Sequence, residues 1–116
     1  MLVHWQDDAR KWGISDVPRE ACGLVVVIDG VETYAPCKNL AEEEDFFVLD
    51  PVDYASAEDT GTVVAVVHSH VKGPSTPSEH DITACNRTGL PWWIYSVQDD
   101  TWTCLEPKHE QEVEGR

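Results

Sequence analysis

His68-Ser69-His70, followed by Ser78 and Asp81, spells H-x-H-x7-S-x2-D directly after the apolar run Val63-Val64-Ala65-Val66-Val67. Alternate residues of a strand face the same side, so His68 and His70 can point at one metal ion while Ser69 points away. A short loop returns the chain, and Asp81, in the first turn of the following helix, faces the strand end. Two imidazoles and a carboxylate are a usual ligand set for catalytic zinc. Three protein ligands leave the fourth tetrahedral position to water. Such a set also takes iron, cobalt or manganese. Glu20, far upstream, is a candidate base for that water. The pattern implies metal-assisted hydrolysis.

Each of these residues also has an ordinary reading. Most His-x-His pairs are incidental. Ser78-x-x-Asp81 is a variant of the capping box, in which the serine accepts from a backbone N–H and the acid reaches back. Ser78 can cap the helix and still aim its hydroxyl at the site, whereas for Asp81 capping and ligation compete for the same oxygens. Glu20 alone reads as an exposed residue between loop and strand. His80 should point elsewhere on its helix and reads as surface, and His4 and His109, near the termini, read as solvated.

The elements that must position these groups are legible in outline. Apolar residues at Leu2, Trp5, Ala9 and Trp12 predict a helix stopped by Gly13. Residues 15–19 read as a loop. The β-branched run 22–28 predicts a buried strand, Asp29-Gly30 a hairpin turn and 31–36 the returning strand. Residues 38–45 are polar and acidic, hence a loop, and 46–49 could form a short strand. Asp50-Pro51 opens a helix through about residue 57. A central strand follows over 62–68, then a Gly/Pro/Ser loop. Ser78 caps a helix through about residue 87 that Gly89 ends. Strands 90–97 and 101–105 flank a turn at Asp99-Asp100, and Trp92 and Trp93 must face opposite sides, one of them partly exposed. Strands mixed with two or three helices predict an α/β fold, an αβα sandwich around a mixed β-sheet. The ligand loop leaves the C-terminal end of a central strand, where such folds commonly place their sites.

Composition narrows the partners. The 116 residues fit one domain, and 41% hydrophobic residues suffice for a core. A formal net charge of −14, from 22 acidic and 8 basic residues, argues against nucleic acid and anionic membrane surfaces as partners. It is compatible with a substrate that is neutral or basic near the cut, and simple solubility accounts for it as well. The apolar runs fall short of a membrane span. The N-terminus has no basic segment followed by an apolar one, so a cytoplasmic location is expected. Cys22, Cys37, Cys85 and Cys104 form no CxxC pair and are expected to be reduced packing residues.

Glu20, His68-Ser69-His70, Ser78 and Asp81 together resemble the E-x(n)-H-S-H-x7-S-x2-D motif of the JAMM (MPN+) zinc metallopeptidases. The flanks Pro18-Arg19-Glu20-Ala21-Cys22-Gly23-Leu24 and Pro77-Ser78 are similar as well, and the likeness spans residues 17–97. One departure is Val71, where the family usually has proline, which predicts a less rigid loop. The resemblance implies a cytidine-deaminase-like fold. It implies Zn2+ held by His68, His70 and Asp81, Glu20 as the catalytic base, and the Ser78 hydroxyl as a catalytic donor to the oxyanion. The reaction would be hydrolysis of a peptide or isopeptide bond.

Tyr34-Ala35-Pro36-Cys37-Lys38-Asn39, Phe46-Phe47-Val48-Leu49-Asp50-Pro51 and Gly89-Leu90-Pro91-Trp92 look like the JAMM domains of bacteriophage tail-tip assembly proteins. That likeness implies a metallopeptidase domain over residues 1–106, a polar tail or linker over 107–116, and a second, NlpC-type domain beyond. It points to phage tail proteins or peptidoglycan as partners and to incorporation into a tail. Two alternatives remain: a non-catalytic MPN-type scaffold or assembly module, and a deconjugase of ubiquitin-like or sulfur-carrier proteins. A nucleobase deaminase would need a P-C-x-x-C motif that this chain lacks.

Overall fold

The computed structural model describes residues 4–108. The expected helix start at Leu2, His109 and most of the polar tail lie outside the described residues. The elements are α1 (His4–Ser15), β1 (Cys22–Ile28), β2 (Val31–Cys37), α2 (Pro51–Thr60), β3 (Thr62–His70), α3 (Glu79–Thr88), β4 (Trp92–Ser96) and β5 (Thr101–Leu105). The sheet order is β2-β1-β3-β4-β5. β1 is antiparallel to both β2 and β3, β3 is parallel to β4, and β4 is antiparallel to β5. The sheet is therefore mixed, as expected.

Strand alternation sorts the core into two layers. Cys22, Leu24, Val26, Val66 and Trp92 meet Ala57 of α2 and Cys85 of α3 on one face. Val25, Ala65, Val67 and Tyr34 meet Trp5 and Ala9 of α1 on the other. This is the predicted αβα arrangement. Trp92 is buried in the first layer. Trp93, half-buried, stands edge-on to Trp5 at 5.3 Å in the second. Among the described residues no helix is long and apolar enough to cross a membrane.

Three local expectations are corrected. α1 does not stop at Gly13 but continues to Ser15. A Cβ at Gly13 would lie 3.4 Å from the Ser69 Cβ and 3.5 Å from the Tyr95 ring, so the glycine lets the helix lie close against the sheet. Residues 46–49 form no strand beyond the single bridge Asn39↔Leu49. The Asn39 side chain takes the backbone groups a ladder would use, accepting from Ala41 and Val48 N–H and donating to the Phe46 carbonyl. α2 runs on to Thr60, beyond residue 57.

The turns follow their residues. Asp29 and Gly30 both take positive φ, 51° and 80°, as a two-residue hairpin loop requires. Ser78 caps α3, and Gly89 ends it in the left-handed conformation at φ 68°. Cys22, Cys37 and Cys85 are free and buried, in keeping with a packing role. Burial pushes the Cys22 and Cys37 thiols up to about 12. Cys104 departs from that expectation and is exposed.

Candidate metal centre

β3 delivers His68 and His70 to the face covered by α2 and α3, and the loop after it returns the chain to α3, whose first turn holds Asp81. His68 Nε2 lies 3.1 Å from Asp81 Oδ1, and His70 Nε2 lies 3.2 Å from Asp81 Oδ2. One ligand atom from each of the three residues falls within 4.8 Å of the others. Donors bound at ~2.0–2.1 Å around a tetrahedral zinc stand about 3.3 Å apart, so the two His–Asp spacings are of the size such an ion sets.

The donor chemistry fits a metal as well. Both ring nitrogens of His68 are buried without a hydrogen-bond partner, although Asp81 lies at contact distance. Geometry that brings ligand atoms together without aligning them as donor and acceptor is what a shared cation needs. His70 Nδ1 lies 2.9 Å from the Pro74 carbonyl. A carbonyl only accepts, so Nδ1 carries the proton and Nε2 is the nitrogen turned to the site. The loop expected to be less rigid for want of proline at Val71 is tied down at several points. Ser96 Oγ donates to the Gly73 carbonyl at 2.7 Å, Gly73 N–H to Gln98 at 3.2 Å, and Ser75 and Thr103 hydroxyls meet at 2.7 Å.

Asp81 serves three partners with two oxygens. Oδ2 accepts the Ser78 N–H at 2.9 Å, and Asp81 N–H donates to Ser78 Oγ at 3.1 Å, which closes a capping box. Oδ1 faces His68. The expected competition between cap and ligation is thus relieved at Oδ1 and persists at Oδ2, which the Ser78 N–H shares with His70 Nε2.

Electrostatics hold the cluster in a charged state when no metal competes. For His68, burial lowers the basicity but the Asp81 and Glu20 carboxylates outweigh it, lifting the pKa to about 9. Asp81 lifts His70 against the opposing effect of burial, with the Pro74 carbonyl helping. For Asp81, burial works to raise the pKa, yet the two imidazoles and the Ser78 N–H hold it far below the usual carboxylate range.

Glu20 joins this group across the sheet. Its Oε1 lies 3.6 Å from His68 Nδ1, and its side chain is 12% exposed. The exposed reading of Glu20 is therefore corrected: β1 pairs with β3 at Cys22↔His68, which brings Glu20, two residues before Cys22, to the site. Its backbone is pinned as well, N–H to the Glu44 carbonyl at 3.2 Å and carbonyl to Asn39 Nδ2 at 2.8 Å. Arg19 donates to the Asn39 and Ala41 carbonyls and anchors the same loop. Ser78 stands at the rim. A cleft of about 230 Å³ is lined by Glu20, His70, Ser78 and Asp81 together with Phe46, Phe47 and His80.

Sequence reasoning missed several of these. Phe47 stacks on the His68 ring at 4.5 Å, and Trp92 meets it edge-on at 5.6 Å, so an aromatic wall fixes that imidazole. His80, read as plain surface, is exposed but borders the cleft and meets Phe46 at 4.7 Å. Asn39 and Arg19 gave no chemical signal in the sequence. His4 begins α1, away in sequence from the other groups.

A family model described as prokaryotic homologs of the JAB domain matches residues 3–106. The tail tip assembly protein K of Escherichia phage N15 is 47% identical over 97 residues, covering 83% of this chain and 40% of its own length. The corresponding protein K of Escherichia phage lambda is 41% identical over 46 residues, 40% of this chain and 23% of that protein. The chain thus spans well under half of either relative. Among solved structures, a protein from Desulfitobacterium hafniense superposes with a TM-score of 0.70 at 25% identity, covering 86% of this chain and 76% of that one. A JAB1/MPN domain protein from Archaeoglobus fulgidus gives 0.59 at 20% identity, covering 88% and 82%, a likeness of fold.

Proposed function

The chain belongs to the prokaryotic JAB-domain family, and from that premise we propose that it is a zinc-dependent peptidase or isopeptidase. The observation that carries this reading is the convergence of His68, His70 and Asp81 with Glu20 beside them. His68, His70 and Asp81 would hold the ion, with iron, cobalt or manganese as chemically admissible substitutes. When bound, zinc supplies a Lewis acid and a water whose pKa falls toward neutrality.

Glu20 then acts as general base on the attacking water and returns the proton to the leaving amine. Its fixed backbone keeps the carboxylate within reach of both. Ser78 Oγ accepts from the Asp81 N–H, which leaves its own O–H free to donate to the oxygen of the scissile carbonyl as charge develops there. Phe47 and Trp92 keep water from the far side of His68. Glu43, Glu44 and Asp45 outnumber Lys72 around an adjoining cleft of about 460 Å³ beside Glu20, which favours neutral or basic groups next to the bond that is cut. Phage tail proteins or peptidoglycan cross-links are the proposed substrates, met in the host cytoplasm or at the tail. Residues 1–106 would form the catalytic domain and 107–116 a linker.

A second reading, a non-catalytic assembly module, draws on relatives known as assembly proteins. Metal content of the purified protein, with hydrolysis assays on peptidoglycan fragments and isopeptide-linked peptides, decides between them. We expect about one zinc per chain in the wild type and in Glu20→Gln, loss of zinc in His70→Ala, and a fall in hydrolysis of ~100-fold or more in Glu20→Gln. A wild-type protein that takes up no metal at neutral pH with zinc supplied would overturn the peptidase reading. Full tail assembly by Glu20→Gln would then favour the module.

A further inference from the structure

We infer that Ser69, the residue between the two histidines, is a positioning residue that sets Glu20 relative to the metal ligands. The inference rests on the peptidase reading for its catalytic consequence, though not for its geometry. Strand alternation turns Ser69 away from the site, onto the α1 face, where it is 2% exposed. There it makes two bonds to Ala21, the neighbour of Glu20. Ser69 N–H donates to the Ala21 carbonyl at 2.9 Å, and Ala21 N–H donates to Ser69 Oγ at 2.8 Å.

The second bond is unusual for its place. By register Ala21 stands opposite Ser69, one step beyond the Cys22↔His68 pair, where an antiparallel ladder returns its bond to a backbone carbonyl. Here a side-chain hydroxyl takes it. β1 is thereby held to β3 at the point where it leaves the ladder, and Glu20, the next residue outward, is aimed at His68. Asn39 and Glu44 fix Glu20 from the loop side, so Ser69 supplies the sheet side of the clamp. Gly13 completes the arrangement. An added Cβ there would stand 3.9 Å from Ser69 Oγ, and the bare glycine lets α1 cover the hydroxyl. Without that hydroxyl, a buried Ala21 N–H would lose its acceptor and the segment would shift to find another.

The test is a double-mutant cycle on zinc-loaded protein with amide exchange read in parallel. In Ser69→Ala we expect kcat to fall ~10- to 100-fold, the size of effect that an ångström-scale misplacement produces, with KM and zinc stoichiometry unchanged. Ser69→Thr, which keeps the hydroxyl, should recover most of the rate. In a Glu20→Gln background Ser69→Ala should cause little further loss, because the two act through one group. Independent multiplication of the two losses, or an unchanged kcat, overturns the inference. Should Ser69→Ala fail to fold, Ser69→Cys, of similar volume and a weak acceptor, carries the same comparison. If the wild type hydrolyses no substrate, the peptidase reading fails, and the tether is judged by exchange. Faster exchange at the Ala21 amide alone supports it, and unchanged protection overturns it.

Discussion

The Ser78 backbone N–H bonds to one oxygen of Asp81 and leaves the other to face His68. Helix start and candidate ligand are therefore one structure, and the capping box fixes the carboxylate plane. Removing each partner should separate the two roles. Ser78→Ala removes the acceptor for the Asp81 N–H and should cost about 1 kcal/mol of stability while zinc stays bound. Asp81→Asn keeps an oxygen for the Ser78 N–H but removes the charge. Zinc affinity should then drop by ~100-fold or more, at least the upper end of outer-shell losses. Urea melts and competitive chelator titration measure the two effects.

The titration of His68 gives different pH trends with and without metal. In the metal-free protein its pKa is lifted to about 9, above the ~6.5 of an unfolded chain. The stability this confers is fully present below about pH 6.5 and is lost as pH rises through about 9. Zinc must displace that proton, so stabilisation by zinc should grow over the same range. Melting temperatures between about pH 7 and 10 should therefore fall in chelator and hold level in zinc. Parallel slopes would rule out His68 as a ligand.

Asn39 donates to the Glu20 and Phe46 carbonyls and accepts from Ala41 and Val48. Asn39→Asp retains the accepting oxygen and loses both donors. We expect a loss of about 2 kcal/mol and a reduced kcat with zinc content intact. An unchanged melt and rate would show that the loop keeps Glu20 in place without this side chain.

Gly23 tests the sheet beneath the site. A Cβ there would meet the Tyr34 hydroxyl at 2.3 Å and the Ala35 carbonyl at 2.7 Å. Tyr34 is buried and cannot swing clear, so Gly23→Ala should destabilise the fold by ~1–3 kcal/mol through overpacking. Denaturant unfolding checks it, and equal stability would mean that β2 yields more easily than its pairing suggests.

What was legible in the sequence tracks the range of the interactions involved. The turn at Asp29-Gly30, the Ser78 cap, the Gly89 stop and the strand bearing His68 follow from neighbouring residues alone, and the structure places each where expected. The ligand triad was readable because a strand period and one short loop connect all three residues. Glu20 had no local mark. Its place depends on β1 pairing with β3, a contact no spacing rule supplies, and the family resemblance singled it out instead. Phe46 to Leu49 misled because their β propensity was sound, yet Asn39 satisfies the backbone groups that pairing would have used. Gly13 misled because a glycine in a helix reads as an end until the surface it lies against is known.

β3 precedes α3 in the chain, and Glu20 precedes both. A chain emerging from the ribosome therefore presents the proposed base first, the two imidazoles next and Asp81 last of the four. A metal held by all three candidate ligands would have to wait until α3 has started, after β1 and β3 are made. On the peptidase reading, hydrolysis would wait for that last residue and be withheld from the half-made chain and its neighbours.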